Sequence, residues 1–100
     1  MRYSRLQWNH SHPAEPVEVL SEYDEAGWEI RKVERFPDGA FGYASAAESA
    51  GGTQLSLIQR PPDAEVAAEP EFRVSELSKV DFERIWAAAR QPLKKMKRVS

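Results

Sequence analysis

Alternating hydrophobic and polar residues flank a proline–glycine turn near the middle of the chain. Residues 28–36 and 40–44 are rich in β-branched and aromatic side chains. Between them, Pro37 fixes the φ angle of a turn, and Gly39 is free to adopt a left-handed backbone conformation. This pattern predicts a β-hairpin from which a sheet grows outwards. The hydrophobic parity shifts between Ile30 and Val33, which predicts either a β-bulge in that interval or burial of both faces of the strand.

Other segments also carry the alternation that is typical of strands. We predict strands over residues 2–9, 17–23, 53–58 and 72–77, the last of them at an edge of the sheet. In the second of these, Val17, Val19 and Tyr23 share one parity, and Leu20 is out of phase. Residues 44–52 are small and glycine-terminated, and residues 63–71 are acidic, so we expect no more than one helical turn in the first and an exposed loop in the second.

The hydrophobic period changes from that of a strand to that of a helix after residue 77. Ser78 is a good helix N-cap, and Pro92 cannot continue a helix. The apolar stripe between them consists of Phe82, Ile85, Trp86 and Ala89. This spacing predicts a helix over residues 79–91 that lies on one face of the sheet. We interpret the three tryptophans as core anchors between sheet and helix: Trp8, Trp28 and Trp86.

Together these elements predict an α+β fold, a twisted antiparallel sheet of about five strands with one C-terminal helix packed on one face. A chain of 100 residues is the length of a single domain. We assign that domain to residues 1–91 and expect residues 92–100 to form a flexible basic tail.

Charge is distributed unevenly along the chain. The net charge is −2, yet all sixteen acids lie in residues 1–90, whereas Lys94, Lys95, Lys97 and Arg98 follow with no acid among them. An acidic body argues against a nucleic-acid-binding protein, which normally has a basic face. It favours a partner protein with a basic surface.

Composition excludes several kinds of site and location. The chain has no cysteine, which excludes disulfides, thiolate metal sites and thiol nucleophiles and fits a reducing compartment. Neither an apolar signal segment nor a run of about 18 apolar residues is present. We therefore expect a cytoplasmic protein without membrane attachment.

Acidic residues crowd the second predicted strand and the turn after it. Glu18 and Glu22 have the parity opposite to that of the valines, which predicts that both are exposed. With Glu25 they form the expected partner-binding surface. A solvated sheet face without function is the alternative interpretation, and a catalytic carboxylate pair would require burial.

The only two histidines lie two residues apart. His10 and His12 would project to the same side of a strand and could hold a metal with Glu15 as a third ligand. The simpler interpretation is that His10 packs beside Trp8. We expect neither a metal nor a cofactor, because no catalytic or phosphate-binding motif is present: the Gly51-Gly52-Thr53 segment lacks a following lysine.

Several motifs together resemble a known family. They are W-x-H near the N-terminus, GWE-x-RKVE-x-F-x-DG-x-x-GY, GGT-x-L, a double proline, EF and S-K-x-x-F-x-x-x-W. This order is similar to that of a family of small bacterial proteins known only as a domain of unknown function, and the resemblance extends from about residue 1 to residue 89. It implies one compact domain and a bacterial source, and it implies no site residues.

The function expected from the sequence is protein–protein interaction. A small acidic domain without a catalytic constellation suits a regulatory or immunity-type module that covers a basic protein surface; the immunity-type role rests on class analogy. The alternative is a small enzyme or ligand-binding protein with a pocket around Trp8, His10, His12 and Glu15.

Overall fold

Six antiparallel strands form one sheet in the part of the chain that the computed structural model describes, residues 1–57, 59–60 and 63–90. The strands are β1 (Arg2–Trp8), β2 (Glu18–Tyr23), β3 (Glu29–Arg35), β4 (Phe41–Ser45), β5 (Ser49–Ala50) and β6 (Phe72–Glu76). Their order is β5-β4-β3-β2-β1-β6. Two helices complete the fold, α1 (Asp63–Ala67) and α2 (Lys79–Ala89). The α+β class, the edge position of β6 and the C-terminal helix are confirmed, with one strand more than expected.

The predicted hairpin is the β3–β4 pair. Gly39 has a φ of +88°, and the Asp38 carboxylate accepts a hydrogen bond from the N–H of Ala40 at 2.9 Å. At the other end of β3, Arg31 pairs with Glu22 while Glu29 pairs with Tyr23. Ile30 therefore has no partner residue in β2, which places the expected bulge at this position.

Helix α2 packs on one face of the sheet, which we call the helix face. Phe82 is fully buried against Leu20 and Val33, and its ring centroid lies 5.3 Å from that of Tyr3. Ser78 caps the helix by accepting a hydrogen bond from the N–H of Asp81 at 3.0 Å. The core between the sheet and α2 includes residues of β1, β2, β3 and β4, and its α2 residues are those of the predicted apolar stripe.

The strand predicted over residues 53–58 is wrong for residues 53–57, and residue 58 lies outside the described part. These residues instead cross the opposite face of the sheet, which we call the second face. The Thr53 hydroxyl donates to the Glu34 carboxylate at 2.7 Å, and Lys32 donates to the carbonyl of Gln54 at 2.9 Å. Side chains of β3 thus bind this segment, in place of the backbone hydrogen bonds that a neighbouring strand would form.

Two shorter segments also differ from expectation. The stretch 44–52 contributes β5 rather than a helical turn, and the acidic stretch 63–71 begins with α1 rather than an open loop. The predicted basic tail, residues 92–100, lies outside the described part of the chain. Among the helices described, none is long and apolar enough to cross a lipid bilayer.

Gly42 of β4 lies where the crossing segment approaches the sheet most closely, and it supports a first prediction. A Cβ atom at this position would overlap the Thr53 hydroxyl and lie 3.2 Å from the carbonyl oxygen of Ala50. We expect Gly42→Ala to lower the free energy of unfolding by about 1–3 kcal/mol, because overpacking forces neighbouring groups to shift. Urea denaturation measures this loss, and a wild-type midpoint would show that Thr53 does not pack on Gly42.

Candidate functional site

The two glutamates expected on an exposed docking surface are buried. Glu18 and Glu22 are each only 6% exposed, because they share the parity of Leu20 and lie on the helix face. Their predicted exposure is wrong: the out-of-phase leucine of β2, rather than its valines, marks the core side of this strand. Glu25, the third predicted residue, lies in the β2–β3 turn and is exposed.

Arg31 of the neighbouring strand neutralises Glu22. Its Nε lies 2.6 Å from Glu22 Oε1 and its Nη2 3.0 Å from Oε2, and the Tyr3 hydroxyl donates to the same carboxylate at 2.8 Å. The guanidinium also donates to Glu83 of α2 at 2.7 and 3.1 Å and lies 4.9 Å from the centroid of the Phe82 ring. This cluster ties α2 to the sheet.

Hydrogen bonding keeps the acids of this cluster charged. The hydrogen bonds from Arg31 lower the pKa of Glu22 and that of Glu83. Burial and the hydrogen bond to Glu22 raise the pKa of Tyr3. The cluster is therefore a structural ion-pair network, and none of its carboxyl groups is held protonated for general acid catalysis.

Glu18 is held by two arginines. Nε of Arg35 donates to its Oε1 at 3.0 Å, and Nε of Arg5 donates to its Oε2. Burial raises the pKa of Glu18, but the hydrogen bonds from Arg35 and Arg5 outweigh burial and lower it overall. Both buried acids of β2 are thus paired, and neither presents a free negative charge to a partner.

The β2–β3 turn holds a tryptophan in an exposed position. The Asp24 carboxylate accepts hydrogen bonds from the N–H groups of Ala26 and Trp28 at 2.9 and 3.0 Å, and Gly27 has a φ of +90°. Trp28 is 44% exposed and does not belong to the hydrophobic cluster beneath α2. Its interpretation as a core anchor is therefore wrong. Trp8 also lies outside that cluster, beside His10 and Phe72, whereas Trp86 does pack on the core.

A second segment lies against this turn and exposes Leu57. It is fixed on both sides of that residue: the N–H of Ser56 donates to the Glu29 carboxylate at 2.8 Å, and the N–H of Arg60 donates to the carbonyl of Gly27 at 2.8 Å. Leu57 itself is 92% exposed. Ser56 and Arg60 are thus hydrogen-bonded to the turn, while the Leu57 side chain lies in water.

We call Glu25, Trp28 and Leu57 the docking patch. The hydrogen bond between Ser56 and Glu29 joins the chain neighbours of Leu57 and Trp28, so the two apolar side chains belong to adjoining segments. A single exposed apolar residue is ordinary in a soluble protein. Here two large apolar side chains are exposed on adjoining segments that are joined by a hydrogen bond.

The histidines organise a loop rather than a metal site. Nδ1 of His10 accepts the N–H of His12 at 2.9 Å, so Nε2 carries the hydrogen and donates to the carbonyl of Pro16 at 2.8 Å. The His10 ring lies beside Trp8, with 4.2 Å between centroids. Both nitrogens of His10 are engaged with the backbone, which leaves no lone pair for a metal. No cluster of three potential metal ligands occurs among the described residues.

A cleft of about 380 Å³ opens where β1 ends and β6 begins. It is lined by Gln7, Trp8, Asn9, Pro70, Glu71, Phe72 and Arg73. The rings of Trp8 and Phe72, two of these lining residues, lie 5.7 Å apart. Of the four residues proposed for a pocket, this cleft contains Trp8 and does not contain His10, His12 or Glu15.

Residues 2–91 match a family model described as a domain of unknown function (DUF6881). The chain belongs to this family. The resemblance inferred from the sequence motifs is thereby confirmed, and the match covers every strand and helix of the fold. Comparisons with curated proteins and with solved structures each found no match.

Sequence reasoning missed Leu57 and the arginine partners of the buried acids. Leu57 lies in a stretch with strand-like alternation, so nothing in the sequence separated it from core residues. The arginines did leave a signal, because Arg31, Val33 and Arg35 occupy every second position and therefore project to the same face of a strand. A core valine between two arginines indicates that their guanidinium groups need buried acceptors.

Proposed function

We propose that this domain is a protein–protein interaction module that binds its partner through the docking patch. The observation that carries the proposal is the pair of exposed apolar side chains, Trp28 and Leu57, on adjoining backbone fixed by hydrogen bonds. Tryptophan is among the residues that most often dominate binding energy at interfaces. A surface whose backbone is already ordered loses little conformational entropy on binding.

The charge of the exposed surface supports a partner with a basic surface. Nine acids are exposed among the described residues: Glu15, Glu25, Asp38, Glu48, Glu65, Glu69, Glu71, Glu76 and Asp81. The exposed bases there are five: Arg2, Arg73, Lys79, Arg84 and Arg90. An excess of negative charge on the surface accelerates association with a basic partner. Of the predicted binding residues, Glu25 remains in this role and the buried Glu18 and Glu22 do not.

A regulatory or immunity-type role in a bacterial cytoplasm extends this proposal. The cysteine-free composition and the acidic surface are compatible with such a role. The extension depends on class analogy, whereas the docking patch depends on the geometry of the turn.

Ligand binding in the cleft beside Trp8 is the second candidate function. A cleft of about 380 Å³ has the size of a small-molecule site, and it combines aromatic walls with amide and charged groups. Trp8→Ala would abolish ligand binding there and leave the docking patch intact, so the two candidates are separable.

Our second prediction tests the docking patch. A tagged domain is used to capture proteins from the source organism, and the retained partner is purified and titrated against variants. We expect Trp28→Ala and Leu57→Ala each to weaken binding roughly tenfold or more, as loss of an interface anchor does. Glu25→Lys should weaken it less and mainly at low salt, because rim charges act over a screened distance.

Val80→Ala is the matched control, because Val80 is also a large exposed aliphatic residue but lies on α2. It should leave the affinity unchanged, and none of these variants should shift the melting temperature by more than about a degree or two. A partner that binds Trp28→Ala and wild type equally would exclude the docking patch as the interface.

A further inference from the structure

One end of the helix face is not covered by α2. Side chains of five strands lie there in one cross-strand row: Arg73, Gln7, Glu18, Arg35 and Phe41. Arg5 lies on the same face, two residues before Gln7 in β1. The helix packs over the adjacent row, which contains Arg5, Leu20 and Val33. In the first row Arg73 and Gln7 are exposed, whereas Glu18 is buried and Phe41 packs against the core.

The buried carboxylate in this row positions two arginines. Arg5 and Arg35 approach Glu18 from the neighbouring strands on either side, and each uses its Nε atom. Within the described part of the chain, their Nη atoms have no hydrogen-bond acceptor. The side chains of Arg5 and Arg35 are 42% and 41% exposed, against 8% for Glu18. Glu18 thus anchors two guanidinium groups whose remaining donors are accessible.

Arg31, in the same sheet, differs because each of its guanidinium nitrogens already donates a hydrogen bond. Its Nε, Nη1 and Nη2 all donate to Glu22 or Glu83, and its side chain is only 18% exposed. Arg31 closes an internal contact, whereas the Arg5–Arg35 pair has donors left over. The difference arises because α2 supplies a second carboxylate at one end of the sheet and none at the other.

The positive charge at this end of the helix face suits an anion. Arg5, Arg35 and Arg73 carry three positive charges, against the negative charges of Glu18 and of Glu71, which lines the cleft together with Arg73. A phosphate ester carries close to two negative charges at neutral pH and has three acceptor oxygens. Paired guanidinium groups match phosphate oxygens in both charge and geometry.

We propose that Arg5 and Arg35, together with Arg73 of β6, bind the phosphate group of a small phosphorylated molecule. Glu18 is the positioning residue that holds the two guanidinium groups together. This site lies at the end of the sheet where β1 ends, and it shares Arg73 and Gln7 with the cleft beside Trp8. It is separate from the docking patch, which follows the β2–β3 turn at the other end of β2.

The test is a titration followed by NMR on the arginine Nε–H signals at low ionic strength and pH 7.5. Inorganic phosphate and blocked phosphoserine are the probes, with blocked serine as the uncharged comparison. We expect saturable shifts at Arg5 and Arg35 with both phosphates and none with serine. Preference for inorganic phosphate would identify free phosphate as the source of the ligand, and preference for phosphoserine would identify a phosphate ester.

Arg5→Gln and Arg35→Gln should each weaken phosphoserine binding roughly tenfold, as loss of a charge-assisted hydrogen bond does. Arg73→Gln, which does not contact Glu18, should weaken it severalfold and keeps the test valid if the other two variants unfold. The control is Arg84→Gln on the exposed side of α2, which should bind as wild type does.

Binding should also strengthen as the pH rises through about 6, where the phosphate ester becomes a dianion. Unsaturable shifts, or equal weakening by Arg84→Gln and Arg73→Gln, would show that the effect is general charge attraction and would overturn the site.

Discussion

Phe82→Ala should destabilise the domain by about 3–5 kcal/mol, the usual cost of truncating a fully buried aromatic residue. Phe82 has no exposed surface. It lies between α2 and the sheet, where it contacts the Leu20–Val33 cluster and the Tyr3 ring. Domains of this size are typically stable by only about 5–15 kcal/mol. We therefore expect urea denaturation to show a much lower midpoint, or a largely unfolded protein at 37 °C.

Two companion variants make the Phe82 result interpretable. Phe82→Leu retains much of the buried volume and should cost clearly less than Phe82→Ala. Trp28→Ala removes a larger aromatic side chain from an exposed turn and should cost less than either. If Trp28→Ala proved as destabilising as Phe82→Ala, the turn tryptophan would have to be buried, and the docking patch would lose its basis.

Most of the fold could be predicted because local signals agreed with one another. The Asp38–Gly39 turn, the Ser78 cap and the helical stripe of Phe82 and Trp86 each specify their own conformation through backbone sterics or hydrogen bonds. The edge strand β6 and the bulge at Ile30 follow from alternation and its interruption. These features depend on residues close together in the chain.

The second face was predicted less well because it depends on contacts between distant residues. The Thr53–Glu34 and Ser56–Glu29 hydrogen bonds join positions 19 and 27 residues apart. Strand-like alternation over residues 53–58 carries no information about such contacts. The exposure of Leu57 follows from these contacts, so the alternation could not predict it either.

The orientation of β2 was misassigned for a different reason. The predicted strand over residues 17–23 contains two valines of one parity and a single leucine of the other, so parity alone placed Leu20 on the wrong side. What decides which face of β2 is buried is the pairing of Glu18 and Glu22 with arginines of β1 and β3. This pairing removes most of the free-energy cost of burying their charges. Parity arguments on charged strands need the neighbouring strands, because a carboxylate beside arginine can be buried.

That pairing supports the last prediction, Arg31→Met, which should lower the free energy of unfolding by about 3–5 kcal/mol at pH 7. Methionine retains much of the packing against Phe82 but leaves the Glu22 carboxylate buried, with the Tyr3 hydroxyl as its one remaining donor among the described residues. Replacing Glu22 as well, in Arg31→Met with Glu22→Gln, should recover part of the loss, because the remaining side chain is neutral. Urea denaturation of the wild type, Arg31→Met, Glu22→Gln and the double variant gives the coupling energy.

The effect of Arg31→Met should depend on pH in a defined direction. In the wild type the hydrogen bonds from Arg31 lower the pKa of Glu22, so the ion pair adds stability above the ordinary glutamate pKa of about 4.3 and loses it as the pH falls through the lowered value. Without Arg31, the buried Glu22 takes up a proton readily and its charge no longer penalises folding at acidic pH. The deficit of Arg31→Met should therefore shrink between pH 7 and pH 3. Arg84→Met, which removes an exposed arginine 3.7 Å from Asp81, should stay within about 0.5 kcal/mol of wild type throughout; equal losses at the two arginines would mean that the Glu22–Arg31 pair does not hold α2 to the sheet.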